Sequence, residues 1–456
     1  MKAMTLCEKI LARTSGSDFV TPGEVIWAEP DLIIHYDFPG LSNAITDQLD
    51  HDLGVKVRHP EKCQFFIDHL WPPTEPEENF HKMTRDWVKM QGIPLSEGQG
   101  IGHQVSAEMG LARPGMLIVH GDAHVQVLGA FGALTWSLLT DVLTPWALGK
   151  FWLEVPSTIK AELSGAFPPG VQGRDLINRM LADLGPDGAL GSVIEFTGEG
   201  AENMSIDDRM GLLSEIFFCG AYCGVFPGDD IALAYLKART GLDFEPVCSD
   251  EGASYAKELR YDLSEMTPYL VAPDSLYAGR PVKDALGLEV QQGYIGSCAC
   301  GRKEDLDIAA IILKGKKIKE GFRLYVVPTS REVMLHATQN GSLNGLIEAG
   351  AFISSPTCDY CYGKLACMTA GERAVSTGTL NVPGRMGSLD AEIYLASAAV
   401  VAASAIEGKI ADPTELLNSA SIEGKIADPA EFLNTASIEG KSEDPAELMN
   451  SEGGEH

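Results

Sequence analysis

The chain has 456 residues, 45% hydrophobic and 22% charged, with a formal net charge of -29. That length exceeds one ordinary core and has room for about three domains, and the composition is that of a folded globular protein rather than a disordered chain. The acidity leaves no basic stripe to neutralise phosphates, which argues against nucleic acid or an anionic membrane as the primary partner.

The N-terminal MKAMTLCEKILARTSG lacks an apolar core followed by a small-residue cleavage site, so no secretory signal is expected. Ten cysteines without such a signal suggest reduced thiols in a cytoplasm. Over residues 1–190, short apolar runs (Asp31–Tyr36, Gln64–Asp68, Met116–Val119) alternate with helix-like stretches (Thr84–Gln91, Thr135–Leu143, Ile177–Leu184). That alternation predicts a first α/β domain. Residues 191–290, with helical patterns at Asp207–Cys219 and Asp230–Arg239, form a second. Residues 291–410 return to strand, turn and helix: GYIGSC leads into a helix from about Lys303, then a strand at Phe322–Val327 and a helix near Glu332–Gln339. Tyr394–Ile406 is Ala-rich, too short to span a bilayer, and reads as a buried helix. Residues 411–456 form an acidic tail. Beyond Ser404 a 16-residue unit recurs, carrying Asp412-Pro413, Asp428-Pro429 and Asp444-Pro445, each pair followed by x-Glu. Asp as N-cap, Pro at the first helical position and Glu one turn in would start one short helix per unit, so the tail reads as a tandem duplication of a C-terminal helix.

The strongest chemical signal lies in the cysteines. Ile295-Gly296-Ser297-Cys298 sits at a strand-to-helix turn, and Cys358-Asp359-Tyr360-Cys361 supplies a Cys-x-x-Cys some 60 residues on. Two neighbouring thiolates plus a distant one suit three irons of a cubane 4Fe–4S cluster. The fourth iron would stay open to water, hydroxyl and carboxylate and act as a Lewis acid. Spacing alone leaves two other readings: a buried or redox pair, and a closed four-sulfur zinc or cluster site that adds Cys300. Cys7, Cys63, Cys219, Cys223, Cys248 and Cys367 read as packed thiols, with Cys219 and Cys223 sharing a helical face by their spacing. Asp68-His69, His103-Gln104 and Gly121-Asp122-Ala123-His124 read one by one as surface or locally hydrogen-bonded groups; only together would they form an imidazole–carboxylate set suited to proton transfer near neutral pH.

Taken in order, these strings resemble the aconitase superfamily. Ile295 to Arg302 is similar to its IGSCTNGR, Thr357 to Gly363 to its PGCxxCxG, and Gly371 through Gly387 to its GERCxSTSNRNFxGRQG. Asp68-His69, His103-Gln104, Asp122 to His124 and Gly129 to Leu134 resemble its upstream motifs, so the likeness covers roughly residues 4–410. It implies an α/β fold of three α/β/α layered domains around an iron–sulfur cluster. It also implies Cys298, Cys358 and Cys361 as cluster ligands, Asp68 and His69 handling the hydroxyl proton, His103, Asp122 and His124 around the open iron, and Arg385 binding a substrate carboxylate.

Departures from the family strings bear on the substrate. Leu380 stands where the family has the first of two paired arginines, Phe218 replaces a polar helix residue, and Ala123 and Cys298-Ala299-Cys300 replace hydrogen-bonding groups. These changes make the expected pocket more apolar, with Phe218 and Leu380 lining it. They favour a small or alkyl-substituted malate over citrate, as in the dimethylmalate dehydratase branch. The family's serine base lies on a swivel domain with a string like Gly-x-Gly-Ser-Ser-Arg-Glu-His. Thr329-Ser330-Arg331-Glu332 imitates it, but Ser330 reads as a helix N-cap. The resemblance therefore implies a separate small swivel-domain subunit. The expected activity is that of a carbon–oxygen hydro-lyase acting on a 2-hydroxy carboxylic acid; a non-catalytic homologue that keeps the cluster, and the closed four-cysteine site, are the competing readings.

Overall fold

A computed structural model describes residues 3–38 and 40–422. The first apolar runs form a five-stranded, wholly parallel sheet: β1 (Leu32–Tyr36), β2 (Cys63–Ile67), β3 (Leu95–Glu97), β4 (Leu117–His120) and β5 (Leu134–Ser137), in the order β3-β2-β1-β4-β5. β1, β2 and β4 are buried along their whole length, as the near-continuous apolar sequence of a sheet covered on both faces demands. Helices α1 (Glu75–Gln91) and α2 (Gly102–Glu108) lie in its crossovers. The expected helix at Thr135–Leu143 is instead strand β5 followed by a 3₁₀ turn at Leu139–Val142. Thr135 and Trp136 suit a pleated surface, and pairing with the edge of β4 outweighs the local helical pattern.

The second sheet, also parallel, runs β8-β7-β6-β9 with β6 (Ser157–Ser164), β7 (Ser192–Thr197), β8 (Cys223–Val225) and β9 (Lys257–Asp262). Its helices include α3 (Gly173–Leu184) and α4 (Ile206–Leu213). It starts before residue 190, because β6 pairs with β7 rather than with the first sheet. The Asp207–Cys219 pattern breaks after Leu213 into a 3₁₀ turn, and Gly220 at φ +87° ends it, so Cys219 and Cys223 share no helical face; Cys223 opens β8.

The third sheet has seven strands, β10 (Tyr269–Val271), β11 (Gly279–Pro281), β12 (Gln292–Ile295), β13 (Arg323–Val326), β14 (Phe352–Ile353), β15 (Arg373–Ser376) and β16 (Glu392–Ala396), in the order β11-β10-β16-β15-β12-β13-β14. β10 and β11 join it from the segment expected in the second domain, pairing antiparallel at one edge while the rest is parallel. Helix α5 (Lys303–Leu313) follows β12. Tyr394–Ile406 divides at Ser397: its first residues finish β16, and helix α6 (Ala398–Glu407) is apolar all round and correspondingly buried. Of the tail, α7 (Thr414–Ile422) realises the first repeat, with Asp412 Oδ1 accepting from Thr414 N at 2.9 Å and Leu417 buried in the third core. The later repeats lie outside the described residues.

One core cluster joins the first two sheets, with Ile34, Tyr36, Phe66 and Ile118 packing into the same body as Ile159, Ile194 and Phe196. The third sheet has its own core around α5 and α6.

Candidate active site

The polar residues singled out from sequence follow the carboxyl ends of β2, β3 and β4, and two cysteine-bearing loops follow the corresponding ends of the third sheet. In both sheets the strand order reverses there, between β1 and β4 and between β12 and β15, which leaves a crevice where loops diverge.

On the first sheet, Asp68 and His69 come directly after β2. His69 Nδ1 donates to Asp68 Oδ1 at 2.8 Å, and Gly102 N, at the start of α2, donates to Asp68 Oδ2 at 2.6 Å. His103 Nε2 is 2.7 Å from Asp122 Oδ1, and His124 N donates to the same oxygen at 2.5 Å. His69 Nε2 lies 4.0 Å from Asp122 Oδ2, so Asp122 sits among three imidazoles. Burial alone would raise the Asp122 carboxyl, but His103 outweighs it and holds the group below the usual carboxylate range. Burial likewise works against the charged form of His69; the adjacent Asp68 and Asp37 win, and its imidazole is held well above the ordinary value. His124 behaves oppositely, with burial keeping it below that value while its Nδ1 contacts Ser214 O at 2.8 Å.

Sequence reading missed the residue that holds this loop. Asp37, buried just after β1, accepts from Asp68 N (3.0 Å) and His69 N (2.9 Å) through Oδ1, and from Leu70 N (3.2 Å) and His81 Nε2 (2.9 Å) through Oδ2. The usable signal was positional: Asp37 ends its strand as Asp68 ends the next. Tyr36 was missed too; its ring stacks on His103 at 4.9 Å with 10° between planes.

On the third sheet, Ser297 adopts φ +74°, a left-handed conformation uncommon for serine, and its Oγ donates to Thr377 O at 2.9 Å. This turn buries Cys298. Its carbonyl accepts from Arg302 Nη2, and Arg302 Nε donates to Gln104 Oε1 at 3.0 Å, joining the turn to α2. Gly301, at φ +82°, has no room for a Cβ, which would come within 2.7 Å of Gly296 Cα. The Cys358–Cys361 loop is fixed by Cys361 N donating to Cys358 O at 3.0 Å and by Tyr362, whose hydroxyl donates toward His69 O (2.9 Å) and Asp359 Oδ1 (2.6 Å). The cysteine loop thus closes directly on the Asp68–His69 loop.

Cys298, Cys358 and Cys361 face one another. Burial raises the Cys298 and Cys358 thiols well above their ordinary value, and repulsion from Cys361 adds to it. Arg385 faces all three sulfurs, with Nη2 3.5 Å from Cys361 Sγ, and its buried Nε has no hydrogen-bond partner. Two buried sulfurs and a half-buried third, gathered near Arg385, are a donor set that fits a thiolate-bound metal cluster: bound iron would neutralise charges that burial otherwise opposes. Cys300 points elsewhere. Its neighbours are Asp305, Arg174, Arg302 and Glu215, and it lines a separate small cavity.

Phe218 and Leu380 are partly buried in the same apolar cluster as Cys358 and Cys361, and the Phe218 ring lies 6.2 Å from that of His124. Ser330 caps the helix Arg331–Gln339 by accepting from Val333 N at 3.1 Å, and donates to Glu108 Oε1 at 2.6 Å. Glu215, absent from the sequence-based set, is buried with Arg174 Nη1 2.6 Å from its Oε1; Arg174 Nη2 also donates to Gly378 O at 2.9 Å, close to Leu380 in the chain.

Residues 43–408 match the Aconitase family (aconitate hydratase). The chain belongs to the aconitase family. It is 40% identical over 420 residues, 91% of this chain and 99% of the relative, to 3-isopropylmalate dehydratase large subunit 1 of Methanopyrus kandleri. It is 36% identical over 422 residues, with 91% and 99% covered, to the probable methanogen homoaconitase large subunit of Methanothermobacter thermautotrophicus. Among solved structures, aconitase X of Thermococcus kodakaraensis in its holo-form aligns at 12% identity and TM-score 0.44, covering 82% of this chain and 89% of that one. The α/β architecture and the hydro-lyase class expected from sequence stand as the family's own, and the family's members carry an iron–sulfur cluster. Among the described residues no helix is long and apolar enough to cross a membrane.

Proposed function

We propose that this chain is the large subunit of a 4Fe–4S hydro-lyase that reversibly dehydrates a 2-hydroxy carboxylic acid of the alkyl-substituted malate type. Its relatives are large subunits of isopropylmalate dehydratase and homoaconitase, which supports a small-subunit partner. The observation that carries the reading is the meeting, at one crevice, of the buried Cys298 and Cys361, the half-buried Cys358, Arg385 and the Asp68–His69–Asp122 network.

Cys298, Cys358 and Cys361 would hold the cluster, which when bound supplies an open iron as Lewis acid toward a hydroxyl leaving group. His69, kept charged by Asp68 and Asp37, is the group able to give a proton to the departing hydroxyl. His103 and Asp122 fix the opposite side of that proton path, and neutral His124 can accept from the substrate. Arg385 offers its fork to a substrate carboxylate. Phe218 and Leu380 supply an apolar wall where a second carboxylate contact would otherwise stand, so an alkyl group fits better there than a further carboxylate. Anti elimination needs a base on the face opposite the hydroxyl. Asp68, His69, His103 and His124 all belong to the near side, so the base and the closure that excludes water are assigned to the small swivel-domain partner.

The test is steady-state kinetics, under anaerobic conditions, of the large chain with a small subunit across isopropylmalate, dimethylmalate, homocitrate and citrate. A preference of at least about tenfold in kcat/KM for the alkylated malates, equivalent to roughly 1.4 kcal/mol, is expected. Preference for citrate, or turnover of none of them, contradicts the proposal.

A further inference from the structure

One strand face is left uncovered at the end of the first sheet opposite the crevice. Val25–Ala28 and Phe151–Glu154 pair antiparallel as a two-stranded ribbon outside the three sheets, with Trp27 opposite Trp152 and Val25 opposite Glu154. Alternation along both strands sends Ile26, Ala28, Phe151 and Leu153 into the core that also holds Ile33, Leu117 and Val119 of the first sheet. The same alternation turns Val25, Trp27 and Trp152 outward, at 63, 47 and 62% exposure. A cross-strand pair of outward tryptophans beside an outward valine is a contiguous apolar face, the mark of a surface that meets another surface.

Place and charge say what that surface is. Only Glu29, Pro30 and Asp31 separate the ribbon's first strand from β1, so the ribbon stands at the amino end of the first sheet. The small swivel-domain partner belongs over the carboxyl ends, where the crevice opens, and leaves this face free. Glu24, Glu29 and Glu154 are exposed around the tryptophans and the chain carries a net charge of -29, which repels an anionic lipid surface. The face itself is polarised. Lys150 lies at one end, its Nζ 5.4 Å from the centre of the Trp27 ring, and Glu154 lies at the other, two residues to either side of Trp152. Among the described residues neither Lys150 nor Glu154 has an ion pair or a side-chain hydrogen bond. A cation and a carboxylate at opposite ends of an apolar centre make the face complementary to itself when it is turned end for end.

We propose that this ribbon face is a docking surface for a second copy of the chain, joined face to face about a two-fold axis that crosses the strands at the Trp27–Trp152 pair. That operation stacks the tryptophans of the two copies at the centre. It also sets Lys150 of each copy against Glu154 of the other, so one contact supplies two ion pairs. Glu29, at the Lys150 end of the neighbouring strand, then faces Val25 of the other copy and meets no carboxylate. The apolar face is on the order of 300 Å² per copy, against about 800 Å² for a standard interface, so the dimer is weak, with a Kd on the order of 10 µM. Both crevices stay open in it, each able to take its own small subunit.

The experiment is sedimentation velocity of the full chain from about 1 to 200 µM, a range that brackets that Kd. A concentration-dependent monomer–dimer equilibrium is expected. Trp152→Ser, at the centre, should weaken it by at least about 30-fold. Lys150→Glu and Glu154→Lys should each weaken it about tenfold by placing like charges together, and the two combined should restore it to within about threefold of the unaltered chain. Circular dichroism checks that each variant is folded; if Trp152→Ser is not, the charge reversals decide, because both side chains are exposed and unpaired in the monomer. A monomer at every concentration overturns the proposal, as does a dimer indifferent to Trp152→Ser or a double reversal that fails to rescue. A monomer that instead co-sediments with phosphatidylcholine vesicles would assign the face to lipid and overturn it too. The readout needs no cluster, substrate or small subunit, so it stands apart from the proposed activity.

Discussion

The two sides of the crevice are built on opposite principles. On the first sheet, Asp37, Asp68, His69, His103 and Asp122 engage one another or nearby backbone, a buried polar network pre-set before anything binds. On the third-sheet side, Cys358, Cys361 and Leu380 share an apolar cluster with Phe218 from the turn before β8, and Arg385 keeps an unmet Nε. A rigid charged floor suits proton handling, whereas an apolar wall with one free arginine suits a substrate with one carboxylate and a hydrocarbon group on that side. Under the proposed function, the difference assigns proton handling to the first sheet and the cluster and apolar wall to the other side, so the two can be disturbed separately.

Removing the hub of the polar side should have the largest effect. Asp37→Asn leaves His81 and three backbone N–H groups without their charged acceptor, and is expected to lower unfolding free energy by about 3–5 kcal/mol, read by denaturant titration. A loss below about 1 kcal/mol would mean the loop is held by other contacts. On the apolar side, Leu380→Arg should reduce kcat/KM for an alkylated malate by roughly ten- to a hundredfold with little change in cluster content, since an unpaired guanidinium in an apolar wall is costly. Unchanged kinetics would place Leu380 outside the substrate's reach.

Where the two sides touch, effects should be smaller. Tyr362→Phe deletes the hydroxyl bound to His69 O and Asp359, for an expected loss of about 1 kcal/mol in stability. Glu108 links α2 to Ser330, and its carboxyl is raised from 4.5 to about 7 by burial, with Glu332 adding to it. Above that value it is ionised in folded and unfolded chains alike, and the fold carries the full desolvation penalty. As pH falls through 7 the folded protein takes the proton first, so stability rises until the unfolded chain also protonates near 4.5. Glu108→Gln should flatten this part of the stability–pH curve. Parallel curves for both proteins would assign the titration to another group.

Legibility in the sequence followed distance along the chain. Cys298, Cys358-x-x-Cys361, Asp68-His69 and Asp122 to His124 sit in short strings, each at a strand end, and could be found locally. Asp37 was marked only by its place at a strand end, and the roles of Asp37 and Tyr362 in holding the Asp68–His69 loop depend on partners 32 and 293 residues away. The same holds for the sheet limits: β6 belongs to the second sheet only because it pairs with β7, and β10 with β11 extends the third by antiparallel pairing across its edge. Cys300 lies in the turn that begins at Ser297, whose φ is +74°, and no spacing rule anticipates which way its side chain turns.

The open-iron reading rests on Cys300 being turned away from the other three sulfurs. The most direct test is iron and acid-labile sulfide per chain after anaerobic reconstitution of Cys300→Ser and Cys358→Ser beside the unaltered protein. Cys300→Ser should retain a full, oxygen-sensitive 4Fe–4S complement with unchanged visible absorption, and Cys358→Ser should lose nearly all of it. Loss of the cluster on Cys300→Ser alone would mean a closed four-sulfur site and would contradict the account.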